Sequence, residues 1–83
     1  MELTGTIIKS WFEPKESALL KLTLELENKQ LIELIDSGTF DELMNRYQLK
    51  VDGMNYIDLG IDGKKCLLSK TEDEYHFISY VDA

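Results

Sequence analysis

Apolar and polar residues alternate along residues 18–27 (ALLKLTLELE), where apolar positions recur at a spacing of two. The alternating apolar residues are Ala18, Leu20, Leu22, Leu24 and Leu26. Leucine, lysine and glutamate are strong helix formers, but a helix would spread these side chains around its circumference, whereas a strand places them on one face. Burial of that face contributes about 1.5–3 kcal/mol per leucine and exceeds the few tenths of a kcal/mol of helix propensity that each residue loses. The pattern therefore predicts a strand whose wet face carries Lys21, Thr23, Glu25 and Glu27.

The segment before this strand is also predicted to be extended. Residues 3–12 are rich in Thr, Ile, Trp and Phe, which favour strands. Gly5 lies inside the run and indicates either a bulge or a close backbone approach. The polar stretch 13–17 contains Pro14, whose fixed φ angle suits a turn.

The segment after the alternating strand is short and apolar. A polar break at 27–30 precedes residues 31–35 (LIELI), which we interpret as the third strand of a meander. Two helical interpretations stay open at this point, because the same residues are good helix formers. One is a single helix over about 18–35, and the other is a short helix over 31–36.

Residues 39–48 carry the clearest helical signal. Thr39 is followed three residues later by Glu42, which is the spacing of a capping box. The apolar residues after Thr39 recur at helical spacing and form one stripe: Phe40, Leu43, Met44 and Tyr47. We therefore predict a helix over about 39–48.

The C-terminal part is predicted to contain three more strands. Asp62 and Gly63 form a strong hairpin signal between apolar stretches at 56–61 and 64–69. The last stretch, residues 75–81 (YHFISYV), is rich in aromatic and β-branched residues and is predicted to be a strand.

The predicted order is β-β-β-α-β-β-β in a single domain over residues 1–83. The fold class is α+β, mostly β, with an antiparallel sheet and one helix at about 39–48. One architecture is a small curled barrel in which the helix plugs an end, and the other is an open sheet with the helix across one face. At the level of element order alone, the barrel is similar to an OB-type barrel.

The composition narrows the range of functions. The chain has 16 acidic and 9 basic residues and a net charge of −7, which repels nucleic acid and anionic membranes and favours basic partners. A single cysteine cannot form an internal disulfide, and small secreted domains usually contain several. We find no membrane-spanning apolar run and no signal-peptide pattern at the N-terminus, so we expect a cytoplasmic protein.

No catalytic or metal-binding motif stands out. His76 is the only histidine and Cys66 the only cysteine, on strands predicted to be adjacent; we expect an inert thiol and a histidine without a catalytic role. The acidic segment with Asp52, Asn55, Asp58 and Asp62 lacks the spacing and closing glutamate of an EF-hand. We therefore expect no catalytic residue, no cofactor and no metal, and a protein that is not an enzyme.

The leading hypothesis is that the protein is a small non-catalytic module that binds another protein, and its negative net charge favours a basic partner. The candidate interaction residues are Trp11, Phe12, Tyr75 and Tyr80. Trp11 and Phe12 are consecutive, so on a strand they point to opposite faces. Alternatives are an OB-like barrel that binds a small ligand or nucleic acid, and an acidic mimic of nucleic acid that inhibits a DNA- or RNA-handling protein. Nucleic acid itself is disfavoured by the charge, and a free sheet edge would permit a homodimer.

Overall fold

Five strands and one helix make up the part of the chain that the computed structural model describes, residues 2–13, 16–50 and 59–81. In chain order these elements are β1 (Glu2–Glu13), β2 (Ala18–Leu26), β3 (Leu31–Gly38), α1 (Phe40–Tyr47), β4 (Lys65–Thr71) and β5 (Glu74–Tyr80). The strands form one sheet in the order β3-β2-β1-β4-β5, and all neighbouring strands are antiparallel. The predicted fold class, a mostly β antiparallel sheet with one helix, is confirmed.

The leucine alternation of β2 forms the centre of the core. Leu20, Leu22 and Leu24 are fully buried, while the residues between them are only partly buried. Both helical interpretations of this region are wrong, because residues 18–26 and 31–38 are strands. Burial of one continuous leucine face outweighs the local helix propensity.

Helix α1 begins after Thr39, which caps it as the sequence predicts. The Thr39 side-chain oxygen accepts a hydrogen bond of 3.2 Å from the backbone N–H of Glu42. The helix ends at Tyr47, and the next residue, Gln48, caps it with a left-handed φ of 51°. Leu43 and Tyr47 are fully buried, and the Phe40 ring packs 5.7 Å from that of Phe12. The helix therefore covers the end of the sheet where β1 ends and β2 begins.

The strand predicted over residues 56–61 requires a correction. Residues 51–58 lie outside the described part of the chain, and 59–61 do not belong to a strand. Leu59 and Ile61 are nevertheless buried, so their alternation reflects core packing in an irregular segment. A turn does form at Asp62 and Gly63, but the backbone N–H of Gly63 bonds to β1, at the carbonyl oxygen of Ile7 (2.7 Å).

The two edge strands of the sheet, β3 and β5, approach each other. In a flat sheet they would be separated by four strand spacings, about 19 Å. Instead, residues of both strands line one cavity of about 230 Å³ together with Arg46 and Tyr47 of α1. The sheet is therefore curled, and the C-terminal turn of the helix fills the gap between its edges.

Candidate functional site

A β-bulge in β1 determines which side chains of that strand reach the surface. β1 pairs with β2 in one register up to Ile7 and in a register shifted by one residue from Lys9 onwards, so that Ile8 is the extra residue. Because side chains alternate along a strand, a one-residue shift exchanges the two faces. Before the bulge the odd-numbered residues face the core, as Ile7 does, and after it Phe12 faces the core and Trp11 faces outward.

We call the outward side of β1, β2 and β3 the outer face. Residues opposite one another on neighbouring strands share a face, so the register defines rows across it. Two adjacent rows are Trp11–Lys21–Ile35 and Lys9–Thr23–Glu33. These rows, together with Ser10 and Leu19, line a groove of about 490 Å³, which we call the outer groove.

Two large apolar side chains border the outer groove and are open to solvent. Trp11 is 49% exposed and Ile35 is 59% exposed. Residues that pack against a partner commonly include a tryptophan, because it brings a large apolar surface at a small cost in side-chain entropy. Ile35 was missed as a site residue from the sequence, since the run LIELI places apolar residues on both faces and only the register shows which ones point outward.

The two lysines of the outer groove differ in whether they have an ion-pair partner. Lys21 Nζ lies 3.4 Å from Glu33 Oε1, so these two side chains form an ion pair. Lys9 has no ion-pair partner among the described residues, although it belongs to a molecule with a net charge of −7. The groove therefore combines two apolar borders with one cation that is free to meet an anionic group.

The other three predicted interaction residues lie elsewhere. Phe12 is 4% exposed and packs against the helix, so it is not accessible to a partner. Tyr80 is partly buried, and its hydroxyl donates a hydrogen bond of 2.6 Å to the backbone oxygen of Tyr47. Tyr75 is partly buried beneath Lys70, whose Nζ lies 5.4 Å from the ring centroid. Of the four residues, only Trp11 belongs to the outer face.

Tyr75 borders a second concave region, at the end of the sheet that holds the β2–β3 and β4–β5 turns. This cavity of about 710 Å³ has Leu3 and Leu26 on its walls and two carboxylates, Glu2 and Glu27, nearby. The Thr4 hydroxyl already donates a hydrogen bond of 2.8 Å to Glu27. None of the polar groups that line this cavity is deeply buried, whereas a ligand site usually holds a few buried polar groups that fix the ligand's orientation.

A third cluster links β3 to α1. Asp36 Oδ2 accepts hydrogen bonds of 2.6 Å from both Arg46 Nη1 and the Tyr47 hydroxyl. Burial alone would raise the pKa of Asp36, but the hydrogen bonds from Tyr47 and Arg46 and the positive charge of Arg46 together lower it. Burial raises the pKa of Tyr47, and its bond to Asp36 raises it further. These contacts stabilise the ionised Asp36 in a structural role, fastening the helix to the sheet.

Cys66 and His76 do not form a catalytic pair. Cys66 faces the core, where burial raises the pKa of its thiol to about 11 despite the nearby charge of Lys64. His76 is opposite Ser69, and its exposed ring lies 3.2 Å from the Thr71 hydroxyl oxygen. A protonated thiol in the core is a poor nucleophile, and no base lies beside it in the register.

Comparisons of the chain with protein-family models, with curated proteins and with solved structures found no match. In the part of the chain that the structure describes, no three His, Cys, Asp or Glu side chains are grouped as a metal ion would need. The one helix of that part, α1, has eight residues and is too short to cross a membrane.

Proposed function

We propose that this protein is a small non-catalytic module that binds a partner protein through its outer face. The observation that carries the proposal is the bulge at Ile8, which directs Trp11 into solvent instead of into the core. β-Bulges are common next to binding sites, where they redirect a side chain. A fold that only had to be stable would gain by burying its single tryptophan.

The apolar surface left open at Trp11 is large enough to anchor an interface. A tryptophan buries up to about 250 Å², so a half-exposed one leaves roughly 120 Å² for a partner to cover. At about 25 cal/mol per Å², covering that surface sets an upper bound of about 3 kcal/mol on its contribution to binding, before the entropic costs of association. Ile35, in the same row, adds to this anchor.

The topology supports an OB-like barrel, and the location of the outer groove agrees with that proposal. The helix follows β3, the order is β3-β2-β1-β4-β5, and the curled sheet brings β3 towards β5. In OB-type barrels the face formed by the second and third strands binds oligonucleotides and oligosaccharides. The outer groove lies over β2, between β1 and β3, and so occupies the corresponding face.

Single-stranded nucleic acid is therefore a second candidate ligand for the same face. Trp11 offers a ring for base stacking, and Lys9 and Lys21 offer positive charges for phosphates. Against this, Lys21 is already paired with Glu33, and the net charge of −7 opposes a polyanion. The same net charge attracts a partner protein that is basic overall, so a protein is the favoured partner.

The remaining alternatives have less support. An acidic mimic of nucleic acid needs an uninterrupted array of carboxylates, whereas basic residues pair with acidic ones at Lys21–Glu33, Lys29–Glu25 and Arg46–Asp36. A homodimer through the edge of β3 is hindered along part of that strand, because β5 and α1 lie close to residues 34–36. We propose neither.

Affinity capture with matched variants tests the proposed function. The tagged wild-type protein and its Trp11→Ala, Ile35→Ala and Ile78→Ala variants are used to capture proteins from cells that express the protein. Ile78 is the control, because it is 44% exposed but lies on β5, away from the outer face. We expect one partner to be captured stoichiometrically by wild type and by Ile78→Ala, and to be lost with the other two variants. Equal capture by all four proteins, or by none, would refute the proposal.

A further inference from the structure

We propose that the outer groove receives an extended peptide segment of the partner, with a large apolar side chain over the Trp11 row and a carboxylate beside Lys9. This inference rests on the proposed function, since it assumes that the outer face binds a protein. It adds the conformation and the side-chain chemistry of the segment that is bound.

The direction of the groove follows from its borders. One border comes from β1, with Trp11 and Lys9, and the other from β3, with Ile35 and Glu33. Between them lie side chains of β2, the small Thr23 at the centre of one row and Lys21, which is paired with Glu33, at the centre of the other. The groove therefore runs parallel to β2, which is the direction that an extended segment needs.

The spacing of the two rows matches an extended peptide. The Trp11 row and the Thr23 row are two residues apart along each strand, which corresponds to about 6.8 Å. Side chains on one face of an extended peptide repeat at the same distance. Two side chains at positions i and i+2 of such a segment can therefore meet the two rows simultaneously.

The charges determine what the second side chain is. At the Trp11 row, Lys21 is paired with Glu33, so the surface offered to a partner is the apolar one of Trp11 and Ile35. At the Thr23 row, Lys9 is the charged side chain without an ion-pair partner among the described residues. A carboxylate satisfies it, whereas a lysine or arginine at that position would meet a like charge.

A peptide fits this pattern better than a nucleic acid does. A nucleic-acid strand brings a phosphate at every nucleotide and needs repeated cations along its path. The groove offers one unpaired cation, and Glu25 and Glu33 lie on the same face. A segment with a single carboxylate gains the contact with Lys9 and is repelled less by these acids.

Selection from a displayed library of random eight-residue peptides tests the inference. The bait is the 83-residue chain, and each round is counter-selected against Trp11→Ala, which is first shown by circular dichroism to be folded. We expect the enriched peptides to carry an aromatic or large aliphatic residue with Asp or Glu two positions away. One enriched peptide, made synthetically, should bind Lys9→Ala about tenfold more weakly than wild type, as expected for the loss of one charge-assisted contact. Lys65→Ala, which removes an equal charge from an exposed lysine of β4 outside the groove, should bind it within about twofold of wild type.

The outcomes separate the inference from the proposed function. Enriched peptides that depend on Trp11 but carry Lys or Arg at the second position, or that bind Lys9→Ala and wild type equally, would overturn the inference and leave the proposed function standing. An oligothymidine that binds with Trp11 dependence and displaces the peptides would overturn the inference in favour of nucleic acid. If no peptide distinguishes wild type from Trp11→Ala but affinity capture does, the partner does not bind through a linear segment and the inference is wrong. If neither the peptide selection nor the affinity capture distinguishes the two proteins, the proposed function is wrong as well.

Discussion

The bulge at Ile8 makes a prediction about the two consecutive aromatic residues after it. Phe12 is 4% exposed and packs against Phe40, so Phe12→Ala leaves a cavity in the core. Such truncations cost about 3–5 kcal/mol of the free energy of unfolding. Trp11 is half exposed and faces solvent, so Trp11→Ala leaves no closed cavity. The buried half of Trp11 covers roughly 120 Å², which at about 25 cal/mol per Å² limits the loss in the free energy of unfolding to about 3 kcal/mol. Because the unfolded chain already covers part of this apolar surface, the expected loss is about 2 kcal/mol.

Urea unfolding followed by circular dichroism measures both values. If Phe12→Ala does not fold, the comparison is made between Phe12→Leu and Trp11→Leu. The free energy of unfolding should then fall by about 1–1.5 kcal/mol for Phe12→Leu and by less than about 1 kcal/mol for Trp11→Leu. Without the bulge, Trp11 would share the face of Ile7 and lie in the core, and Phe12 would be exposed. A larger loss for the tryptophan variants than for the phenylalanine variants would therefore refute the register and the position of the outer face.

Three further predictions concern the rest of the fold. Tyr47→Phe removes a hydrogen bond to the ionised Asp36 and should cost about 1.5–3 kcal/mol of the free energy of unfolding in urea at pH 7. Folding lowers the pKa of Asp36, so this contribution is present above the unfolded value of about 3.9 and declines as the pH falls below it towards the folded value. A penalty that does not decrease as the pH is lowered below about 3.9 would contradict this role. Cys66 should react with a thiol reagent at pH 7–8 only as fast as the protein unfolds, because its thiol is buried with a pKa of about 11, and rapid labelling of the native protein would show that the thiol is accessible. Thr39→Ala should cost about 1 kcal/mol through loss of the helix cap, and Thr39→Ser should restore most of it, whereas equal losses for both would mean that the hydroxyl does not act as a cap.

The elements that were predictable from the sequence are those with a local signal. The alternation of leucines in β2 and the N-cap at Thr39 each depend on residues within one element, and both form as the pattern indicates. Gly5 was also informative: it lies in regular register, and a Cβ there would be 3.3 Å from the side chains of both Leu26 and Leu68. It therefore marks a close approach rather than a bulge.

The features that were not predictable depend on contacts distant in sequence. The bulge lies at Ile8, where the backbone N–H of Ile7 bonds to the carbonyl oxygen of Lys64, and nothing in residues 3–12 identifies that position. Leu59 and Ile61 resembled a strand because both are apolar and buried, although residues 59–61 do not belong to one. For the candidate site, Trp11 was identified by its residue type, but its exposure depends on the bulge.

Site-specific photo-crosslinking tests most directly whether the outer face binds a partner protein. Benzoylphenylalanine is placed at Leu31, an exposed residue of β3 on the outer face that borders the groove without lining it, and in a second protein at Ser79, an exposed position of β5 away from the groove. Both proteins are irradiated in the cells that express them. We predict that a partner protein is cross-linked from position 31 and not from position 79, and that the product disappears when Trp11→Ala is added. Cross-linking from position 79 alone, or a product from position 31 that survives Trp11→Ala, would contradict the proposed binding face.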